Sequence, residues 1–450
     1  MSPGPGHPSY PVPRPRPLPV RRRGPHPLTV LAALCGLFIV YGTTIPFEPV
    51  AEPIPLAEGW RRAVDAAPRR SSRTDRAANV LLFMPLGAMI AARLGRAGAG
   101  PIGSVLAASA VGAALSAGVE TLQINLQMRV TSVSDLMNNT IGSAIGGGLG
   151  WLAGRWAWPW FWPALKRGAA THPLASLAIV ATVGWGVIEL APFVPSADVG
   201  DLKSAVKSAR PIPFGPSVDG RRPAPDPWAW AVEALSWSLL GGLVALAVRE
   251  RGGRGVELVA ETIVLTAGFR AAVELVQLGF PGHVTDATSV VLTSAGATAS
   301  ALAVAIRPRL PARSWIGPGL AVWAAAVLID GASPFDAFGR PRSLDPRMAF
   351  PFYSYFWSPP TSALATAAEK VASMVPLGFL LAARSRRWTP AASALSGWAA
   401  GASIEAIQLF NASRTPDMTD AFLAALGAWL GGRALRSWES AGASPSSPTT

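Results

Sequence analysis

One polar stretch, residues 120–142, decides the fold of this chain: ETLQINLQMRVTSVSDLMNNTIG. It begins at the end of one apolar run and ends inside the next. Its polar side chains include Glu120, Gln123, Arg129, Asp135 and Asn139. Residues three apart share one face of a helix, so Glu120 and Gln123 are expected to point the same way. The stretch predicts a polar cluster where two apolar helices meet.

The same spacing occurs twice more along the chain. Three of its four glutamines follow a glutamate by three residues: Glu120 and Gln123, Glu274 and Gln277, Glu405 and Gln408. Nine residues after each glutamate stands a side chain that can be cationic: Arg129, His283 or Arg414. Twenty-two residues after it stands a glycine: Gly142, Gly296 or Gly427. Matched offsets of this kind indicate an internal repeat.

The rest of the sequence is dominated by apolar runs with short charged breaks. Of all residues, 50% are hydrophobic and 14% are charged, which excludes a disordered chain and argues against a soluble enzyme. A membrane span needs about 20 apolar residues. Twelve segments approach that length: 28–45, 78–95, 101–123, 137–156, 173–193, 229–248, 257–278, 284–306, 314–330, 361–383, 389–411 and 417–435. We predict an all-α, polytopic transmembrane protein with about twelve spans.

The repeat divides these spans into three groups of four helices. We name them unit 1 (residues 28–156), unit 2 (residues 173–306) and unit 3 (residues 314–435). Residues 1–27 are basic and Pro-rich, and residues 437–450 are rich in Ser and Pro. Both tails are therefore expected to be disordered.

Basic residues concentrate on alternate loops. The net charge is +13, and positive charge on short loops marks the cytoplasmic side of a membrane protein. This pattern predicts that both termini are cytoplasmic and that the polar stretches face outward, so the charge does not indicate nucleic-acid binding. The single cysteine, Cys35, excludes a disulfide framework. No metal ion or cofactor is expected.

The polar stretch of unit 1 predicts an outward-facing pocket. A carboxylate inside a membrane costs roughly 2.5–3.5 kcal/mol and usually faces a partner within the bundle. Arg129 is the expected partner of Glu120 or Asp135, since its guanidinium can hold a carboxylate through two hydrogen bonds. Unit 3 keeps the matching residues Glu405, Gln408, Arg414 and Asp420. Two interpretations stay open: a ligand site, or a network that only fixes the outer loop.

Unit 2 departs from this pattern and is expected to be structural. Arg270 stands one helical turn before Glu274, where an ion pair within the helix is possible. We expect unit 1 to retain function best, followed by unit 3.

Polar residues also recur in the second span of each unit, at Asn79, Glu233 and Lys370. They either reach water at a helix end or complete the pockets. The spacing of Gly142, Gly146 and Gly150 favours close helix packing over a phosphate-binding loop.

Taken together, Asn79, the run Phe83-x-Pro85-Leu86-Gly87 and the polar residues of 120–142 resemble the VanZ-like family. Unit 1 matches most of this pattern, unit 3 a reduced version, and unit 2 only the Glu, Gln and Gly register. The resemblance implies small four-helix bacterial membrane proteins of the cell envelope, whose namesake is associated with low-level teicoplanin resistance. Three tandem units depart from the usual single unit.

These observations lead to one main hypothesis and two alternatives. The main hypothesis is a bacterial plasma-membrane protein, surrounded by membrane lipids, that binds or modifies an envelope lipid headgroup or a lipophilic glycopeptide. Its expected ligand-binding residues are Glu120, Gln123, Arg129, Asp135, Asn139, Glu405, Gln408, Arg414 and Asp420, with Arg129 and Arg414 anchoring an anionic group. The alternatives are a secondary transporter built from repeats, or an intramembrane enzyme that uses Glu120 and Asp135 as acid and base.

Overall fold

The computed structural model describes residues 26–44, 47–66, 73–127, 129–191, 199–222, 224–280, 282–341, 350–357 and 360–442. Over these ranges the chain is helical and contains no β-sheet. The apolar sequence explains this architecture, because a backbone surrounded by lipid must satisfy its N–H and C=O groups within each segment. The predicted all-α fold is confirmed.

Among its described residues, unit 1 contains four long helices and one short one. They are α1 (Pro27–Thr44), α2 (Leu56–Ala66), α3 (Arg73–Arg96), α4 (Pro101–Gln123) and α5 (Val133–Leu152). Helix α5 packs along α3 and α4, and α1 packs on α3 and α4. The short helix α2 lies over the end of α4, where Trp60 Nε1 donates a hydrogen bond to Thr121 Oγ1 over 3.3 Å.

Unit 2 and the segment before it have a similar arrangement. The helices are α6 (Trp158–Thr171), α7 (Pro173–Glu189), α8 (Val199–Ser208), α9 (Pro227–Glu250), α10 (Gly255–Gln277) and α11 (Ala287–Ile306). Helix α11 packs along α9 and α10, and α7 packs on α9. Helix α6 continues from α5 through one π-helical turn, Ala153–Ala157.

Unit 3 begins with a 3₁₀ turn, Ala312–Trp315. Its helices are α12 (Ile316–Ala332), α13 (Tyr353–Trp357), α14 (Pro360–Arg384), α15 (Pro390–Gln408) and α16 (Met418–Gly442). Helix α16 packs along α14 and α15, and α12 packs on both of them. Helix α12 also packs on α9, which joins unit 3 to unit 2.

Glycines set the register between the second and fourth long helices of each unit. A side chain at Gly142, Gly296 or Gly427 would collide with a backbone carbonyl oxygen of the facing helix. Those carbonyls belong to Val80, Ala234 and Val371, which directly follow the matched residues Asn79, Glu233 and Lys370. The sequence predicts helix packing for Gly142, Gly146 and Gly150, and each of them faces a backbone carbonyl of α3, as this prediction requires. The contact of Gly142 recurs at Gly296 and Gly427.

Every predicted apolar segment overlaps a helix of the described ranges. In the described part of the chain, six helical segments are long and apolar enough to cross a membrane: Arg76–Arg96, Pro101–Gln123, Pro227–Glu250, Ala287–Ile306, Ala312–Ala332 and Ala365–Arg384. Two further apolar helices, Leu28–Thr44 and Pro173–Glu189, are shorter. The chain is therefore a multi-pass membrane protein.

The structure differs from the sequence-based boundaries at several helix ends, including those of α16 and α5. Helix α16 extends to Gly442, so residues 437–442 of the predicted C-terminal tail are helical, with Arg436 paired to Glu439 at 3.2 Å. Helix α5 begins at Val133 rather than 137, because Ser132 Oγ accepts a hydrogen bond from the Asp135 amide at 3.3 Å and caps the helix. Residues 1–25 and 443–450 of the predicted tails lie outside the described residues.

Candidate functional site

Each unit places a buried glutamate against the start of its last helix. One carboxylate oxygen accepts the backbone amide of the residue twelve positions later, at 2.7, 2.8 and 2.7 Å: Glu120 from Ser132, Glu274 from Asp286, and Glu405 from Asp417. A hydrogen bond to an ionised acceptor is about twice as strong as a neutral one. The glutamate therefore ties the third long helix of each unit to the fourth.

The glutamine of each repeat joins the first long helix to the same point. Its side-chain amide donates to a carbonyl in the last turn of that helix, at 2.8, 3.0 and 2.9 Å: Gln123 to Thr43, Gln277 to Glu189, and Gln408 to Gly331. Glutamate and glutamine thus act from one face of the third helix, as their spacing predicts.

The two arginines at offset nine also bind the first helix. Arg129 Nη2 donates to the Gly42 carbonyl at 3.3 Å. Arg414 donates from Nε to Ser333 at 2.8 Å and from Nη2 to Asp330 at 2.6 Å, in both cases to the backbone carbonyl. Carbonyls in the last turn of a helix have no intrahelical partner, so the arginines satisfy them.

This arrangement differs from the role expected for the arginines. Arg129 was expected to pair with Glu120 or Asp135; the Glu120 carboxylate accepts the Ser132 amide, and among the described residues no ion pair joins it to Arg129. The guanidinium groups of Arg129 and Arg414 help to close the helix end, and their role as anchors for an anionic ligand stays a prediction.

Unit 3 contains a small polar cavity beside Glu405. Lys370 Nζ lies 3.0 Å from Asp420 Oδ2. The cavity has a volume of about 20 Å³, and its polar lining comes from Asp330, Lys370, Glu405 and Asp420, with Gly401 at the wall. This volume is enough for roughly one water molecule or one small polar group.

Tyr355 supports this cavity from the short helix α13. Its hydroxyl donates to Asp420 Oδ1 over 2.6 Å. Burial and the neighbouring Asp420 carboxylate raise the pKa of the Tyr355 phenol, so the group stays protonated and acts as the donor. The sequence did not single out Tyr355, because α13 lies outside the apolar runs.

Unit 2 fills the corresponding space with Arg270. Its guanidinium lies 3.1 Å from Glu189, 3.1 Å from Glu233 and 2.8 Å from Glu274. The indole ring of Trp185 lies 5.0 Å from the guanidinium carbon, within cation–π range. The ion pair expected between Arg270 and Glu274 is confirmed. The matched second-helix positions Glu233 and Lys370 both point into their units, which settles the choice that the sequence left open for them.

In unit 1, uncharged polar side chains lie one helical turn further into the bundle than the carboxylates. Asn139 Nδ2 donates to Ser116 Oγ over 2.9 Å. The other amide atom, Asn139 Oδ1, is buried and has no hydrogen-bond partner among the residues that the structure describes. Asn139 lies one turn below Asp135 on α5, and Ser116 lies one turn below Glu120 on α4.

A contact that the sequence reasoning missed holds the loop between the first and second long helices of units 2 and 3. The backbone amide of Phe214 donates to Thr288 Oγ1 at 2.9 Å, and that of Phe352 donates to Thr419 Oγ1 at 2.6 Å. Both phenylalanines have positive φ angles, 58° and 65°. A proline precedes each of these phenylalanines in the sequence. These two matched Pro-Phe pairs are the sequence feature from which the contact could have been predicted.

The cluster of each unit therefore lies at one end of its bundle and is built from carboxylate, amide and hydroxyl groups. Within the described residues, no group of three or more His, Cys, Asp or Glu side chains has a geometry that could hold a metal ion. The chemistry available is hydrogen bonding and charge pairing with a polar group that enters from the bundle end.

Comparison with known proteins gives one match. A family model described as VanZ/LLP1 matches residues 30–154 and 323–436, which together exceed half of the chain. The two ranges fall on units 1 and 3 and leave residues 155–322 between them. No curated protein and no solved structure is similar enough to count as a match.

Proposed function

Because the chain belongs to the VanZ/LLP1 family, we propose that it binds the headgroup of an envelope lipid or of a lipophilic glycopeptide through the polar end of its bundles. The observation that carries this proposal is the cavity of unit 3. Its carboxylates, Glu405, Asp420 and Asp330, line a space that is next to apolar helices. Such a site suits a molecule with an apolar anchor and a hydrogen-bond donor in its headgroup.

The proposal includes the organisation of the chain into three four-helix units and twelve spans. The matched Glu–amide bonds, Gln–carbonyl bonds and glycine contacts of the three units support it. An even number of spans in each unit would place all three polar clusters on the same side of the membrane. The positive charge of the alternate loops supports an outward orientation of that side, with both termini in the cytoplasm.

The headgroup is assigned to the carboxylates rather than to the arginines. Arg414 is bound to two carbonyls of the first helix, whereas Glu405 and Asp420 face the cavity. The ligand contacts then come from Glu120, Asp135 and Asn139 in unit 1 and from Glu405 and Asp420 in unit 3. Gln123 and Gln408 hold the first helix in place beside them.

The transporter and enzyme alternatives receive less support. A transporter binds its substrate near the middle of the membrane, between repeats. Here the charged groups lie at one helix end, at the last turn of α4 and α15. Carboxylates alone do not specify a bond that is broken, so no reaction is assigned.

Expression in a glycopeptide-susceptible bacterial host tests the proposal. We expect the wild-type protein to change teicoplanin susceptibility or the pattern of extracted envelope lipids. The double variant Glu120→Gln with Glu405→Gln should lose at least half of that effect, because it removes both carboxylate charges while the amide oxygens still accept the Ser132 and Asp417 amides. Glu257→Gln is the matched control, since Glu257 is exposed on α10.

The readout is the inhibitory concentration and the lipid profile at equal protein level in the membrane fraction. Identical results for the wild type, the double variant and an empty vector would contradict the proposal. Accumulation of a solute in vesicles would support the transporter instead.

A further inference from the structure

In unit 2, the protein itself provides a donor for each oxygen of the repeated glutamate. Glu274 Oε2 accepts a hydrogen bond from the Asp286 amide at 2.8 Å, and Glu274 Oε1 lies 2.8 Å from Arg270 Nη2. Arg270 stands one helical turn before Glu274 on α10. A side chain of the third long helix thus fills the space beside this buried carboxylate.

In unit 3, the protein provides a donor for only one of the two oxygens. Glu405 is 6% exposed, and its Oε2 accepts the Asp417 amide at 2.7 Å. Among the described residues, Glu405 Oε1 has no hydrogen-bond or ion-pair partner, and the side chain lines the cavity of unit 3. Leaving a largely buried acceptor without a donor is unfavourable. The cavity is therefore the place where a further donor would satisfy Glu405.

Unit 3 cannot provide this donor from the position that Arg270 has in unit 2. Gly401 stands there, one turn before Glu405 on α15, and it lines the cavity. A side chain at position 401 would collide with Ala421 and Ala424 of α16. Because α15 and α16 approach so closely, the donor has to come from water or from a ligand.

Lys370 places donors at the same cavity. Its Nζ lies 3.0 Å from Asp420 Oδ2, and Lys370 is part of the cavity lining. An ammonium has three N–H groups, so the bond to Asp420 leaves two of them for other acceptors. In the described part of the chain, no ion pair joins Lys370 to Glu405. A donor group and an acceptor group thus border one small space without contacting each other.

The position of Lys370 is fixed by a second contact. The Tyr355 hydroxyl donates to Asp420 Oδ1 over 2.6 Å, so the carboxylate that pairs with Lys370 is itself held in place. The geometry of the cavity therefore belongs to the folded unit and does not depend on a ligand.

A hydroxyl group matches this cavity better than a charged group does. A hydroxyl both donates and accepts, so it can bind Glu405 and Lys370 together. An ammonium only donates and would be repelled by Lys370, whereas an ionised phosphate or carboxylate would be repelled by Glu405. The cavity volume of about 20 Å³ is enough for roughly one such group.

We propose that unit 3 binds a hydroxyl of an uncharged headgroup, a sugar or another polyol, between Glu405 and Lys370. The inference rests on the proposed function and names its ligand class. Val327, Met374 and Ile404 line the same cavity and suit the carbon atoms that carry the hydroxyl. The hydroxyl donates to Glu405 Oε1 and accepts from Lys370 Nζ.

Binding of two matched probes to the purified full chain in nanodiscs tests this inference. The first probe is a glucosyl diacylglycerol with a fluorescent acyl chain, diluted in phosphatidylcholine, whose headgroup has no hydroxyl. The second probe has the same sugar with its hydroxyls methylated, which removes the donors and keeps the oxygen atoms. We expect saturable binding of the first probe and at least a tenfold weaker affinity for the second. This comparison uses the wild-type protein, so it does not depend on the folding of a variant.

Two variants then test the assigned residues. Glu405→Gln should weaken binding of the first probe at least tenfold, because its amide oxygen can still accept the Asp417 amide while its NH₂ group turns a donor toward the cavity. Lys370→Met should weaken binding at least threefold, since the hydroxyl loses its donor. Glu257→Gln, exposed on α10, is the control and should bind as the wild type does.

Competition identifies the source of the hydroxyl. Displacement of the first probe by teicoplanin supports a glycopeptide, and displacement only by unlabelled glycolipid supports a lipid. Equal affinity of the wild type for the two probes would overturn the hydroxyl assignment and leave the cavity to water. Tighter binding of a phosphatidylethanolamine probe than of the glycolipid would overturn it in favour of an amine.

The outcomes separate this inference from the proposed function. Undiminished binding of the first probe by Glu405→Gln would overturn the site. An absence of glycolipid binding, together with a susceptibility change in cells that depends on Glu405, would overturn the hydroxyl class and leave headgroup binding standing. If neither binding nor a cellular effect is found, both proposals fail.

Discussion

Glu405 fixes the start of α16 through one short hydrogen bond, from the Asp417 amide at 2.7 Å. We expect Glu405→Ala to lower the free energy of unfolding by about 1.5–3 kcal/mol, since a buried amide loses a charged acceptor. Glu405→Gln should lose less, because its amide oxygen can still accept. Thermal unfolding of the detergent-solubilised protein measures both.

Glu52→Ala is the control for this series, because Glu52 is exposed in a loop and should change stability by at most about 0.5 kcal/mol. Equal losses for the Ala and Gln variants at position 405 would show that the charge, and not the hydrogen bond to Asp417, determines stability.

At the level of residues, the sequence predicted which helix face a side chain occupies better than it predicted the hydrogen-bond partner of that side chain. The shared face of Glu120 and Gln123 followed from helix geometry alone. The partner of Arg129 did not, because the Gly42 carbonyl that it binds becomes available only where α1 ends, and the helix end lies far away in sequence. Every residue has a backbone carbonyl, so the amino acid at the accepting position does not reveal that a distant side chain binds there.

At the level of helices, contact between α3 and α5 depends on glycines that face a backbone. We expect Gly142→Ala to destabilise unit 1 by about 1–3 kcal/mol, because its new methyl group would collide with the Val80 carbonyl. Gly148 lies on the same helix but faces open space, so Gly148→Ala is the matched control and should be neutral or slightly stabilising. Thermal unfolding at equal detergent concentration compares the two.

If Gly148→Ala destabilised the protein as much as Gly142→Ala, the α3–α5 contact would not be the cause. Any alanine on α5 would then destabilise the protein equally, and the register between α3 and α5 would need another explanation.

Hydropathy predicted the long helices but not the short ones. Each of α4, α10 and α15 corresponds to an apolar run, and such a run must be helical in a membrane because its backbone groups find no water to bind there. The short helices α2, α8 and α13 are too short or too polar for that signal. They form where the loop between the first and second long helices folds back on the bundle, as Trp60 does against Thr121.

At the level of the whole molecule, the proposed orientation predicts which surface a reagent can reach. In a Cys35→Ser background, we expect cysteines at Val130 and Thr415 to react with a membrane-impermeant maleimide in intact cells. Cysteines at Ala97 and Arg386, at the opposite helix ends, should react only after permeabilisation. All four positions are exposed.

Labelling of position 130 from one side and position 415 from the other would contradict the common orientation of units 1 and 3. Labelling of both only after permeabilisation would place the polar clusters on the cytoplasmic side and reverse the proposed topology.

The sequence predicted the repeat but not how the units pack together. Matched offsets from Glu120, Glu274 and Glu405 revealed the repetition. The packing of α9 on α12 was not predictable, because an apolar helix face suits a neighbouring helix as well as it suits lipid.

The glutamine of every unit holds the end of the first long helix through a main-chain oxygen, that of Thr43, Glu189 or Gly331. A main-chain oxygen is present whatever amino acid occupies the position. Evolution can therefore change the outward-facing residues of α1, α7 and α12 to suit different bilayers without removing the oxygen that each glutamine binds, whereas Glu189 is also constrained by its ion pair with Arg270.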